Sequence, residues 1–130
     1  MTLVLDSSIL MSLEKGRLDI KKRLKKLLEK HEGLPVMSFI TYFEFLMGIK
    51  ERTKENQEKA LQFINNIGVL KVRKETAEIL ANLKHSYDKK GITLPLADLL
   101  IASQAIENNM LLVTTDKDFK KIEELKKIII

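Results

Sequence analysis

LPLADLLIASQAIENNMLLVTTDKDF, residues Leu94 to Phe119, decides how the chain folds. From Leu96 to Asn108 it is apolar around most of a helical circumference, which predicts a helix with protein on several sides. Leu111–Thr114 is a short apolar run without polar alternation, which predicts a strand buried on both faces. A central helix leading directly into a doubly buried strand is the repeating step of a parallel sheet. Two carboxylates interrupt the pattern. Asp98 lies inside the helix, with Ile101, Ala102 and Ala105 at +3, +4 and +7, and Asp116 ends the strand. Burial makes such charges expensive unless something compensates them.

Upstream, the same alternation continues. Strands are expected at Leu3–Leu5, Leu34–Met37 and Val69–Val72, with a final one at Lys126–Ile130. Helices are expected at Ser7–Glu14, Leu18–His31, Thr41–Lys50, Lys54–Asn66 and Lys74–Lys89, and a helical turn at Lys117–Lys121. Ile20, Leu24, Leu27 and Leu28 recur at helical spacing, and Gly16, Gly33, Gly68 and Gly91 punctuate the elements. The chain therefore reads as one α/β domain over residues 1–130, three-layered, with a central parallel sheet of about five strands and helices on both faces.

Composition narrows the function. The 130 residues are 45% hydrophobic and 32% charged, which is globular rather than disordered. There is no cysteine, which excludes disulfides and thiolate metal sites. No run of about 18 apolar residues is present, and Asp6 interrupts the apolar start, so no membrane span or secretory signal is read and a cytoplasmic location is expected. The net charge of +5 favours a polyanionic partner. Neither a P-loop nor a G-x-G-x-x-G sequence occurs, which argues against nucleotide cradling.

Four acids keep apolar company. Asp6 follows TLVL at the end of the first expected strand, and Glu44, with Ile40 and Met47 at −4 and +3, is expected to face inward. Asp98 and Asp116 complete the set. Asp6 and Asp116 have an alternative reading as helix caps, and Glu44 and Asp98 as partners of a buried Lys or Arg. Taken together they suggest more. Ligand sites of open parallel sheets lie at the carboxyl ends of strands where strand order reverses. If the first and fourth strands are neighbours, Asp6 and Asp116 meet there, and the helices bearing Glu44 and Asp98 start at that edge. Such a cluster repels itself without a cation, and oxygen ligands alone favour Mg2+ or Mn2+. An acidic pocket of that kind suits phosphodiester cleavage.

The stretches LVLDSSIL (3–10), SFITYFEFLMGI (38–49) and LPLADLLIASQAIENNMLLVTTDKDF (94–119), in this order and spacing, resemble PIN-domain ribonucleases, most closely the VapC-type toxins of toxin–antitoxin systems. The resemblance covers nearly the whole chain. It implies a five-stranded parallel sheet and a Mg2+- or Mn2+-dependent endoribonuclease. It places the acidic quartet on Asp6, Glu44, Asp98 and Asp116, supporting hydroxyls on Ser8 and Thr114, and a further acid that touches metal in some members on Asp118. It also implies an RNA substrate, a cognate antitoxin and a homodimer. A stand-alone RNA-processing nuclease and a non-catalytic RNA- or protein-binding module remain alternatives. A phosphoryl-transfer domain is disfavoured, because Asp6-Ser7-Ser8 lacks a second acid two residues on.

KGRLDIKKRLKKLLEK (15–30) carries eight basic and two acidic residues. It reads either as a solvated helix face or as a phosphate track formed by Lys21, Lys22, Arg23, Lys25 and Lys26. Phe39, Phe43, Phe45 and Phe63 are expected in the core, and Tyr42 and Tyr87 at the surface. Gly48 is expected at a close packing contact. His31 and His85 show no ligand spacing and take no functional role.

Overall fold

The computed structural model describes residues 1–130. Five parallel strands, β1 (Leu3–Leu5), β2 (Val36–Met37), β3 (Gly68–Val69), β4 (Leu111–Thr114) and β5 (Lys127–Ile129), form one sheet in the order β3-β2-β1-β4-β5. Helices α1 (Ser7–Glu14), α2 (Leu18–Lys30), α3 (Phe39–Ile49), α4 (Lys54–Ile64), α5 (Lys74–Lys89) and α6 (Leu96–Glu107) connect them, with a 3₁₀ turn at Lys117–Lys121 before β5.

Strand alternation sorts the core into two halves. Leu3, Leu5, Leu111 and Val113 point to one face, where Ile9, Leu10, Ile20, Leu24, Phe45 and Ile64 from α1–α4 cover them. Val4 and Leu112 point to the other, against Leu83, Leu99, Ala102 and Ala105 of α5 and α6. The three-layer α/β/α architecture is the one expected from the sequence. It follows from strands that are apolar at consecutive positions, which both faces must bury.

Strand order reverses between β1 and β4, which pair with Leu5 opposite Val113. The chain leaves β1 and β4 at the same edge of the sheet, so Asp6 and Asp116 emerge side by side. This is the switch point at which parallel sheets open a crevice.

Several boundaries differ from expectation for local reasons. α3 begins at Phe39 rather than Thr41 because the Ser38 hydroxyl accepts the Thr41 N–H (3.1 Å) and caps the helix. β2 begins only at Val36, since Pro35 has no N–H to give the ladder and Leu34 is exposed. β3 is Gly68–Val69 rather than Val69–Val72. After the Leu70 N–H bonds to Met37 O (2.9 Å), the carbonyls of Leu70 and Lys71 turn to the side chain of Gln104.

The aromatic expectations are partly overturned. Phe45 is buried and Phe63 packs against it, with ring centroids 6.2 Å apart. Phe39 and Phe43, expected in the core, are each 50% exposed and continue with Met47 as a stripe on α3. The buried face of α3 is instead Thr41, Phe45 and Ile49. Tyr87, expected at the surface, is buried and donates its hydroxyl hydrogen to Glu124 (2.6 Å). A Cβ on Gly48 would meet nothing within 4 Å, so that glycine marks no close contact. No helix is long and apolar enough to cross a membrane.

Candidate active site

Asp6 is the anchor. Its backbone N–H extends the β1–β4 ladder by donating to Val113 O (3.1 Å), which fixes where its side chain starts. One carboxylate oxygen accepts the Ser7 N–H (2.8 Å) and caps α1. The other accepts the Thr114 hydroxyl (2.6 Å), with Ser8 Oγ at a longer 3.5 Å. The residue is only 5% exposed.

Thr114 ties the two strand ends together. While its hydroxyl donates to Asp6, its oxygen accepts the Asp116 N–H (3.0 Å). Asp116 in turn caps the 3₁₀ turn through the Asp118 N–H (2.9 Å). Ser8 closes the ring by accepting the Thr115 N–H (3.3 Å). Capping and convergence therefore coexist. Asp6 and Asp116 each spend one oxygen on a cap and remain members of one cluster.

Asp98 sits in the first turn of α6, half-buried, behind the uncapped Pro95 start of that helix. Its carboxyl is pushed up to about 6, by burial first and then by Asp116, Asp6, Asp118 and Glu44. Burial likewise raises Asp6, against the lowering effect of the Thr114 hydroxyl and the Ser7 N–H, while Asp116 raises it further. Glu44 does not face inward as expected. It stands exposed at the rim on α3, yet desolvation by neighbouring protein and then the Asp6 charge still raise its carboxyl. Four acids from β1, α3, α6 and β4 thus share one electrostatic field. None of them meets a Lys or Arg, because all six ion pairs lie elsewhere. The reading of Glu44 and Asp98 as partners of buried cations is excluded. Asp118 is exposed and lies 3.7 Å from Lys121, at the outer edge of the same field.

The donor set contains oxygen only, the chemistry that hard divalent cations take. The acids form an open bowl at the sheet edge, in which no three of them are close enough together to make a metal shell by themselves.

Gln104 was invisible to sequence reasoning. It is fully buried two turns beyond Asp98, accepts the Phe39 N–H through Oε1 (2.8 Å), and donates to Leu70 O (3.2 Å) and Lys71 O (3.3 Å). It locks the first turn of α3 to α6 and so sets Glu44 relative to Asp98. The S-x-x-T cap at Ser38–Thr41 was a legible signal for the start of α3, whereas a lone glutamine in an apolar helix carried none.

The expected basic track divides. Arg23 and Lys26 line hollows beside the sheet edge, whereas Lys21, Lys22 and Lys25 are exposed on the remaining faces of α2 and line neither. His31 is half-buried and His85 exposed, both distant in sequence from any acid of the bowl.

Comparison with known proteins gives consistent results. A sequence model of the PIN domain matches residues 3–125. The ribonuclease VapC1 of Rickettsia felis is 32% identical over 132 residues, which cover 97% of this chain and 94% of that one. Among solved structures, VapBC2 from Rickettsia felis, bound to a DNA fragment from its promoter, superposes with a TM-score of 0.88 at 26% identity, covering 100% of this chain and 99% of that one. A toxin–antitoxin complex from Klebsiella pneumoniae gives 0.74 at 25% identity, covering 96% and 95%.

Proposed function

This chain belongs to the PIN-domain family, in its VapC branch, and from that premise we propose that residues 1–130 act as one nuclease domain, an endoribonuclease hydrolysing phosphodiester bonds at the bowl of Asp6, Glu44, Asp98 and Asp116. The observation that carries the reading is the joint field on Asp98. Four neighbouring acids accompany a carboxyl already raised to about 6, and the one cation paired with any of them is Lys121, out at Asp118. An assembly of that sign costs stability at neutral pH, a bound cation would relieve the cost, and oxygen donors suit Mg2+ or Mn2+.

Asp6, Asp98 and Asp116 would hold the ion, with Glu44 at the rim and Asp118 reaching it directly or through water. When bound, such an ion lowers the pKa of water and neutralises charge on the phosphate. The chain's own part is preorganisation. The Thr114 hydroxyl fixes the Asp6 rotamer and, through the Asp116 N–H, the exit of β4. Ser8 joins the start of α1 to Thr115. Asp98 holds a proton more readily than an ordinary aspartate and gives it up when positive charge arrives. Gln104 sets the spacing between the helices that carry Asp98 and Glu44.

The branch membership extends the proposal to biology. The chain acts in the cytoplasm as the toxin of a toxin–antitoxin pair, neutralised by a cognate antitoxin and assembled as a homodimer. The structural neighbours that are toxin–antitoxin assemblies support the antitoxin. The test is cleavage of a labelled, structured RNA pool by wild type and Asp98→Asn, with Mg2+, with Mn2+ and with EDTA. Cutting that requires both the ion and Asp98 is expected. Equal cutting by the variant would sink the proposal. A folded wild type that binds RNA and never cuts it would favour the non-catalytic module.

A further inference from the structure

The acidic bowl repels the backbone it is proposed to cut, so the substrate needs a counter-charged seat nearby. A hollow of about 500 Å3 opens directly beside the bowl. Its inner wall is Ser8 and Thr115, the pair whose hydrogen bond borders Asp6. Its outer wall is Lys15, Arg17 and Arg23, from the α1–α2 turn and α2. The one acid lining it, Asp19, pairs with Arg17 at 3.1 Å, which leaves Lys15 and Arg23 as the unpaired charges of the hollow and Arg17 to be shared between Asp19 and a phosphate. A second hollow of about 230 Å3 continues along α2 between Lys26 and Lys30 on one side and Ile128 and Ile130 of the β5 edge on the other. Arg23 and Ile130 line both hollows, so the two form one path.

Helical geometry explains the division of the lysines. Arg23, Lys26, Leu27 and Lys30 fall at i, i+3, i+4 and i+7, one face of α2. Lys21 and Lys25 fall on the far side, and Lys22, one turn before Lys26, borders this face but lines neither hollow. At 1.5 Å per residue, Arg23 to Lys30 spans about 10 Å, long enough for successive phosphates rather than a single anion.

Building on the proposed function, we infer that this path seats the single-stranded RNA flanking the scissile bond, with Lys15, Arg17 and Arg23 holding its phosphates next to the bowl and Lys26 and Lys30 extending the grip. Three lysines of the same segment, Lys21, Lys22 and Lys25, are outside it.

Two triple variants with equal loss of charge separate this path from general attraction. Lys15→Gln/Arg17→Gln/Arg23→Gln is expected to lower kcat/KM about 10- to 100-fold, mainly through KM, and to flatten the log–log salt dependence by about two, at roughly 0.7 per single-strand phosphate lost. Lys21→Gln/Lys22→Gln/Lys25→Gln is expected to stay within about threefold of wild type, as screened charges off the path should. All six side chains are on exposed residues, so both triples are expected to fold, which thermal melts would check. Equal losses in the two triples, or wild-type kinetics in the first whatever it does to binding of a protein partner, overturn the path. Filter binding of single-stranded RNA to the same three proteins reads the path without any cutting. If wild type fails to cut, the proposed function fails alone, while binding weakened only in the first triple still supports the path and identical binding by all three overturns it.

Discussion

Asp6 and Glu14 stand at the two ends of α1, one capping its first turn and the other closing its last. Glu14 is met by Arg52 of the α3–α4 connection at 2.7 Å, with side chains 13% and 31% exposed. Asp6 is more deeply buried, at 5%, and is met by hydroxyls, a backbone N–H and other acids, with no cation. At one corner the fold supplies the counter-charge from its own sequence. At the other it supplies only groups that orient the carboxylate, and no counter-charge. An acid of the first kind holds elements together, and removing its partner exposes the cost of a stranded charge. An acid of the second kind is held against the preference of the fold, which is the usual mark of a site rather than a strut.

The sharpest way to break this comparison is the same swap at both corners. Asp6→Asn keeps a side chain able to cap α1 and removes a charge from the bowl, so cleavage is expected to fall by about a hundredfold or more, as when a transition-state electrostatic group is lost, with stability in the absence of metal unchanged or raised. Glu14→Gln is expected to leave cleavage within about twofold and to lower stability by about 1–2 kcal/mol, the range for a charge-assisted hydrogen bond that is partly open to water. Urea unfolding and single-turnover cleavage read the two quantities. Loss of cleavage in Glu14→Gln, or collapse of the fold in Asp6→Asn, would erase the distinction.

A smaller effect sharpens the same point without RNA. Mg2+ at about 100 times its Kd stabilises a protein that binds it only when folded by about 2.7 kcal/mol. That gain is expected in wild type and in Glu14→Gln and is expected to be largely lost in Asp6→Asn. Equal stabilisation of all three by Mg2+ would show that the ion acts elsewhere.

The two corners also differ in how well the sequence announced them. The acids of the bowl were legible because they violate a pattern. Asp98 interrupts an otherwise apolar helix, and Asp6 and Asp116 end apolar strands, so each stood out as a charge where burial is expected. The alternation of helices and strands was legible for the same reason, through strands too apolar to face water on either side. Orientation within a helix was harder. The pattern of α3 offered two rows on nearly opposite faces, Phe39–Phe43–Met47 and Thr41–Phe45–Ile49, and nothing local says which one the sheet selects. The structure buries the row with the β-branched and smaller residues, which leaves Glu44 at the rim instead of inside. Gln104 and the Glu14–Arg52 pair depend on contacts across 34, 65 and 38 positions of sequence, and one chain read alone carries no signal at that range.

The smallest expected effect is a pH dependence, and it is confined to the acidic corner. Asp98 has a folded value of about 6 against 3.8 for an ordinary aspartate. Between those values the folded chain binds more protons than the unfolded one, so stability falls as pH rises through the window and levels off above it. Asp6 and Glu44 are shifted in the same direction and add to that slope. The exposed Asp19, held low by the Ile20 N–H, has its slope below 3.8 and leaves this window unchanged. At the other corner Arg52 is raised by its hydrogen bond to Glu14 and stays charged throughout, so its own titration gives no slope there. Metal-free wild type is therefore expected to melt at a higher temperature at pH 5 than at pH 7, and Asp98→Asn to lose part of that difference. Because Asp98 is half open to water, screening keeps the change modest. Mg2+ reverses the sense, since it competes with protons for the same oxygens and binds better as pH rises. A metal-free profile identical in wild type and Asp98→Asn would mean that the bowl carries no strain for a cation to relieve, and the contrast with the Glu14–Arg52 corner would lose its physical basis.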